Sequence, residues 1–211
     1  MSTQPAPRGW GCFHEVYDRC ITFFFVMFRP ENGIMAQLFL SHAWSTDELG
    51  RDNHERVQRL LSALERLGWS TWFDENNIGG NMDASVADGI ENADAVIICL
   101  TKKYCEKINE SARSPWRRDW CLKEWTYANA RRKLLLPLIM EPCMKRPTDW
   151  PVGMVLLELG STLCADGSSD NVEAGALGVH RLLQRYGLTP ARALQKQKSV
   201  ASAPCLVRTR K

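Results

Sequence analysis

The sequence lacks an apolar run long enough to cross a membrane. Its most apolar stretch, 21–28, has eight residues, whereas a membrane-spanning helix needs about 20. We therefore predict no membrane span. We interpret the stretch as a strand or helix that packs on the rest of the chain, with a partner-binding surface as the alternative.

The sequence also lacks the cysteine spacing of a metal site. Its eight cysteines form no Cys-x-x-Cys pair, and the four histidines complete no ligand set. We therefore predict no metal. Scattered thiols such as Cys99, which lies within an apolar run, are typical of a reducing compartment, so we expect a cytoplasmic protein.

A strong excess of one charge is missing as well. The chain has 27 Lys and Arg against 24 Asp and Glu, and six of those basic residues follow Pro190, where no acidic residue occurs. The rest of the chain is slightly acidic, which argues against a nucleic-acid-binding protein. We interpret 188–211 as a basic, disordered tail and 1–34 as an N-terminal extension.

Predicted strands and helices alternate through the remaining domain, 35–187. The predicted strands are 37–41, 70–73, 95–100, 134–140 and 155–164. The predicted helices begin near residues 53, 83, 116 and 172, and we expect Asp83 to cap the second of them. This alternation predicts a flavodoxin-like three-layer α/β sandwich, with a five-stranded, mostly parallel sheet and helices on both faces.

The strand ends lack the motifs of several enzyme classes. No Gly-x-Gly-x-x-Gly follows the first strand, and neither a P-loop nor a Gly-x-Ser-x-Gly elbow occurs. The paired acids and the lysine of a response-regulator receiver are missing too. Ligands in parallel sheets bind beyond the carboxyl ends of the strands, which here carry Ser41, His42, Asp74, Thr101 and Glu141.

The helix after the third strand has one polar face. Trp120, Glu124 and Arg131 follow helical spacing and share that face. The face suits a polar ligand with an aromatic ring. Spacing alone leaves open that Glu124 pairs with Arg131 or Lys123, or that it faces water.

Four motifs, in order, resemble the TIR (Toll/interleukin-1 receptor/resistance) domain family. They are LFLSH at 38–42, FDENNIGG at 73–80, WCLKE at 120–124 and LIMEP at 138–142. The second resembles the BB loop of that family, and the third its Trp-Cys-x-x-Glu signature. The resemblance extends over about 150 residues, from Gln37 to Tyr186.

The resemblance implies an NAD+ glycohydrolase or cyclase in a signalling or defence context, with NAD+ as substrate and no separate cofactor. It assigns catalysis to Glu124. Substrate binding is implied for the following side chains: Ser41, His42, Trp44, Asp74 and Trp120. The chain departs from many active relatives at Ala43 and Trp44, where basic residues are common, and at Gly79, where an acid is common.

Two alternatives to the NAD+-cleaving enzyme stay open. The resemblance also fits a non-enzymatic adaptor that associates with itself or with other TIR domains through the BB loop. The contact residues would then be Asn77, Ile78, Gly79 and Gly80. A transferase that releases the base from a nucleoside through a glutamate nucleophile is the third hypothesis.

Overall fold

A parallel five-stranded sheet lies at the centre of the domain. The computed structural model describes residues 37–72, 82–114, 116 and 119–190. The strands are β1 (Gln37–His42), β2 (Ser70–Trp72), β3 (Ala95–Leu100), β4 (Leu134–Ile139) and β5 (Ala165–Asp166). Their order is β2-β1-β3-β4-β5, and every neighbouring pair is parallel. This is the doubly wound, flavodoxin-like arrangement that the alternation predicted.

Helices cover both faces of the sheet. They are α1 (Asn53–Arg66), α2 (Met82–Asn92), α3 (Lys102–Arg113), α4 (Trp120–Ala130), α5 (Met154–Leu159) and α6 (Val172–Arg185). One core cluster joins the sheet to α1 and α6, and the other joins it to α2, α3, α4 and α5. Strand β3 contributes alternate residues to the two clusters, which is why its sequence is apolar throughout.

Helix α1 begins and ends as its sequence predicts. Asp52 caps it, because its side chain accepts a hydrogen bond of 2.8 Å from the Glu55 N–H. The apolar positions Val57, Leu60 and Leu64 are all buried. After the helix, Gly68 has φ of +91°, a left-handed conformation that glycine adopts without steric cost.

The predicted fifth strand, 155–164, is wrong. Its first part is helix α5, and the strand itself is the short segment Ala165–Asp166. Val155 and Leu159 are buried while Leu157 is 87% exposed, so burial here follows a four-residue helical period and not the alternation of a strand. A run of apolar residues alone does not distinguish a short buried helix from a strand.

The polar insert after β3 contains helix α3, which the sequence analysis did not predict. Thr101 caps this helix by accepting a hydrogen bond of 3.1 Å from the Tyr104 N–H. Its buried face carries two polar side chains, Tyr104 and Ser111, beside Cys105 and Ile108, so the amphipathic pattern is weak in sequence.

Two predicted helix starts also need correction. Helix α4 begins at Trp120, four residues after the predicted start at Trp116, because Asp119 is its N-cap. Helix α2 begins at Met82, so Asp83 is not its cap. The Asp83 carboxylate lies in the first turn and pairs with the ammonium of Lys123 at 2.8 Å.

A buried arginine ties α1 to the carboxyl ends of β4 and β5. The Arg56 side chain is 2% exposed and donates hydrogen bonds of 2.9 Å to the carbonyl oxygens of Met140 and Gly167. It also pairs with the carboxylate of Asp47 at 3.1 Å. These contacts hold the carboxyl ends of β4 and β5 in place, at the edge of the sheet from which the loops between strands and helices extend.

In the part of the chain that the structure describes, no helix is long and apolar enough to cross a lipid bilayer. The extension 1–34 and most of the tail 188–211 lie outside the described residues, so the predicted domain boundaries stay predictions.

Candidate active site

The N-terminus of α4 is fixed at the carboxyl edge of the sheet by Asp119. The Asp119 carboxylate accepts a hydrogen bond of 3.0 Å from the Cys121 N–H and pairs with the ammonium of Lys107 at 3.3 Å. Burial alone would raise the pKa of Asp119. The hydrogen bonds from Cys121 and the charge of Lys107 outweigh it and hold the pKa below its ordinary value. Asp119 is therefore an ionised cap that sets where α4 begins.

One turn of α4 separates Trp120 from Glu124. Both side chains are half-buried, whereas Cys121, Leu122 and Trp125 point into the core. The Glu124 carboxylate accepts a hydrogen bond of 2.6 Å from the hydroxyl of Ser41 at the end of β1. The shared helix face predicted from spacing therefore lies against the first strand end.

The two basic residues that spacing allowed as partners of Glu124 pair with other carboxylates in the structure. Arg131 pairs with Glu91, and Lys123 pairs with Asp83. The Lys123 ammonium also lies 4.1 Å from the centroid of the Trp120 ring, in a cation–π contact. This contact orients the indole that stands beside Glu124.

A cavity of about 260 Å³ opens in front of Glu124. Its walls are mostly aromatic and apolar, with a few polar groups. The lining side chains are Phe39, Leu40, His42, Trp44, Trp72, Met82, Lys107, Asp119, Trp120, Cys121 and Glu124. Four of the predicted site residues are among them: His42, Trp44, Trp120 and Glu124.

The remaining predicted site residues have other positions. Ser41 is 1% exposed and lies behind Glu124, where its hydroxyl contacts that carboxylate. Asp74 and the predicted BB-loop residues 77–80 lie outside the described residues. Trp72 and Met82, which flank that segment in sequence, both line the cavity.

His54 is part of this site, although no prediction from the sequence included it. Its Nδ1 lies 2.8 Å from Nε2 of His42, and its ring stacks on the Trp44 indole with centroids 3.9 Å apart. Helix α1 starts beside the end of β1 because the Asn53 side chain donates a hydrogen bond of 2.8 Å to the Ala43 carbonyl. No sequence motif marks His54. Its position at the start of the helix that directly follows β1 is the feature of the sequence that could have indicated it.

Tyr104 is the second residue that the sequence analysis missed. Its ring is fully buried in the core between α3 and the sheet, and its hydroxyl lies 2.8 Å from the hydroxyl of Ser41. Burial raises the pKa of Tyr104 well above its ordinary value, and the nearby Cys121 and Glu124 add to the effect. The phenol therefore keeps its proton at neutral pH.

Cys121 lines the cavity but is a poor nucleophile. Its thiol is buried and donates a long hydrogen bond of 3.5 Å to the His42 carbonyl oxygen. Burial raises the pKa of this thiol, and the negative charges of Glu124 and Asp119 raise it further. The thiol therefore keeps its proton at neutral pH.

Among the described residues, no group of three or more His, Cys, Asp or Glu side chains is placed to hold a metal ion. The Glu124 carboxylate, beside aromatic walls, is suited to stabilise a developing positive charge in a bound molecule.

The sequence model of the TIR domain family matches residues 38–183 of this chain. That range contains the first five described α-helices, all but the last two residues of α6, and all but the first residue of the sheet. The family includes members that cleave NAD+, and its domains generally associate with themselves or with other TIR domains. No curated protein matches the chain.

Proposed function

Because this chain belongs to the TIR domain family, we propose that it cleaves NAD+ at the bond between nicotinamide and ribose. The observation that supports this proposal is the position of Glu124, in a cavity beside Trp120 and held by a hydrogen bond from Ser41. A family fold alone does not establish an activity, so the proposal depends on this site.

The reaction needs little beyond one carboxylate. The bond between the ribose carbon and the nicotinamide nitrogen breaks, and its electron pair neutralises the charge of the pyridinium ring. Nicotinamide then leaves as a neutral molecule without a general acid. The ribose carbon passes through an oxocarbenium-like state, which the negative charge of Glu124 stabilises. Water completes hydrolysis, whereas attack by the adenine of the same molecule gives a cyclic product.

The walls of the cavity suggest how the substrate is held. Trp120, Trp44 and His42 all line the cavity. In this proposal the indole of Trp120 contacts the nicotinamide ring, and Trp44 and His42 form the β1 side of the binding site. We infer from the resemblance that Asp74 contributes as well. NAD+ is the substrate in this proposal, and no separate cofactor is required.

The size of the cavity supports a role for assembly. At about 260 Å³ it lies below the range of about 300–1,000 Å³ that is typical of pockets for drug-sized ligands, and NAD+ is larger than most of those. The nicotinamide–ribose end alone suits this volume. By the family resemblance, assembly with a second copy of the domain would complete the site around the rest of the substrate.

The adaptor is the second candidate function. Domains of this family generally associate with themselves or with other TIR domains. An adaptor would depend on such contacts and on the predicted BB loop, and it would not need the Glu124 carboxylate.

The test is NAD+ consumption measured against protein concentration, with and without a crowding agent. Wild type should consume NAD+ more than proportionally as concentration rises, and Glu124→Gln should abolish turnover. The control is Glu106→Gln, which changes a glutamate that pairs with Lys103 on α3, outside the cavity lining. Equal turnover in wild type and Glu124→Gln contradicts the proposal. Self-association without turnover at any concentration favours the adaptor.

A further inference from the structure

Two hydroxyl groups lie in a line behind Glu124. The Ser41 hydroxyl donates to the Glu124 carboxylate at 2.6 Å, and the Tyr104 hydroxyl lies 2.8 Å from the same Ser41 oxygen. A serine hydroxyl has one proton to donate. Since Ser41 gives that proton to Glu124, Tyr104 must be the donor in the second bond. Tyr104 therefore donates to Ser41, and Ser41 donates to the Glu124 carboxylate.

Donation of hydrogen bonds in the opposite direction, from Glu124 through Ser41 to Tyr104, is unfavourable. A protonated Glu124 would donate to Ser41, Ser41 would donate to Tyr104, and the phenol proton would then need an acceptor. Among the described residues, the Tyr104 hydroxyl has a hydrogen bond with Ser41 and with no other group. Tyr104 and Ser41 are 0% and 1% exposed, so water does not readily take that proton, and an unsatisfied buried donor is costly.

We propose that Ser41 and Tyr104 are positioning residues that hold Glu124 as an oriented, ionised carboxylate. The ring of Tyr104 is fixed by the core around α3, and Ser41 is fixed by its place in β1 between β2 and β3. Together they connect the rigid sheet to the Glu124 carboxylate, which faces the cavity. Neither side chain lines that cavity, so neither is placed to contact a bound molecule.

The consequence for catalysis rests on the proposed function, because it assumes that Glu124 must be ionised to stabilise the ribose cation. The positioning role itself does not rest on it. Hydrogen bonds donated to a carboxylate favour its charged form whether or not the protein turns over NAD+. The two ideas can therefore be tested separately.

The first measurement is a pH titration of the glutamate carboxyl carbons by NMR in ¹³C-labelled protein. The Glu124 signal is assigned by its loss in Glu124→Gln. Ser41→Ala should move the titration midpoint of Glu124 upward by about one pH unit, the size expected for one hydrogen bond to a charged group. Tyr104→Phe keeps the buried ring and should move the midpoint in the same direction by a smaller amount.

The chain offers matched controls for both substitutions. Tyr127→Phe also removes a phenol that hydrogen-bonds a glutamate, in this case Glu91 at 2.8 Å. Ser62→Ala removes an exposed hydroxyl on α1 that contacts a backbone carbonyl. Both controls should leave the Glu124 midpoint where it is in wild type. A purely structural tie between α3, β1 and α4 would lower stability in Tyr104→Phe without moving that midpoint.

Unchanged midpoints in both Ser41→Ala and Tyr104→Phe would overturn the proposal. A shift in Ser41→Ala alone would overturn the role given to Tyr104. The second measurement is the pH profile of NAD+ cleavage, whose acid limb should move to higher pH in the same two variants. Shifted midpoints in a protein that never cleaves NAD+ would support the positioning role and contradict the proposed function.

Discussion

The indole of Trp44 stacks on the imidazole of His54, with ring centroids 3.9 Å apart and ring planes 28° apart. The same imidazole lies at hydrogen-bond distance, 2.8 Å, from His42. His54 therefore holds two side chains that line the cavity, although it is not a lining residue itself.

Under the proposed function, removing this support should weaken NAD+ binding. We expect His54→Ala to raise the KM for NAD+ by about tenfold, because small displacements of positioning groups have effects of this order or larger. The control is His180→Ala, since His180 accepts a hydrogen bond of 3.1 Å from the Trp69 indole on the other face of the sheet. Steady-state kinetics check both variants. A KM that stays at the wild-type value in His54→Ala would contradict this role.

The buried pair of Arg56 and Asp47 should contribute strongly to stability. Arg56→Met removes the guanidinium that binds two carbonyl oxygens and leaves the buried Asp47 carboxylate without that partner. Arg51 still pairs with Asp47 and donates to the Met140 carbonyl, whereas the Gly167 carbonyl loses its donor, so the expected loss is about 1–3 kcal/mol in free energy of unfolding. Denaturant unfolding measures the loss. Arg66→Met is the control, because the pair of Arg66 with Glu173 is exposed, and a similar loss there would contradict the role of burial.

The sheet and the core of the site could be predicted from sequence because both depend on local patterns. The continuous apolar run 95–100 indicated a central strand, and the spacing of Trp120 and Glu124 placed them on one helix face. What the sequence could not show is which distant residues those elements bring together. Tyr104 lies on a helix whose buried face is half polar, and His54 lies at a helix start without a motif.

The error in the last strand has a different cause. The segment 155–159, apolar except for Glu158, is short enough to be a strand or a helix, and its buried residues Val155 and Leu159 lie at helical spacing. The true fifth strand has two residues and pairs with β4 only at Leu138 and Ile139. A strand of that length has too few residues to show an alternating pattern.

Stability should fall in acid because of Asp47. Burial alone would raise the pKa of its carboxyl, but hydrogen bonds from Arg51 and Leu49 outweigh burial and hold the pKa below its ordinary value. As pH falls, Asp47 therefore takes up a proton at a higher pH in the unfolded chain than in the folded protein. The stabilisation is therefore complete above about pH 4 and is lost progressively as pH drops through the lower pKa of the folded state.

Unfolding midpoints in denaturant between pH 7 and pH 2.5 test this dependence. Asp47→Asn should be less stable at neutral pH and should lose less stability on acidification than wild type does. Asp149→Asn removes a carboxylate that pairs with Arg146 in an exposed turn and should leave the acid dependence unchanged. An equally steep acid loss in Asp47→Asn and wild type would show that other carboxylates carry it.

Gly89 should be intolerant of alanine because it lies against the Trp72 indole. A Cβ at position 89 would come within 2.6 Å of two indole atoms, and Trp72 stacks on Phe39 and lines the cavity. In a helix interior Gly→Ala ordinarily stabilises by about 1 kcal/mol. Overpacking should reverse the sign, so we expect Gly89→Ala to lower the free energy of unfolding by about 1–3 kcal/mol and to reduce NAD+ turnover.

Gly178→Ala is the matched control in α6, where the new Cβ would meet its nearest neighbour at an ordinary 3.4 Å, so that variant should be as stable as wild type or more so. Denaturant unfolding of the two variants measures both changes in free energy of unfolding. A stabilised Gly89→Ala would mean that Trp72 moves aside without cost.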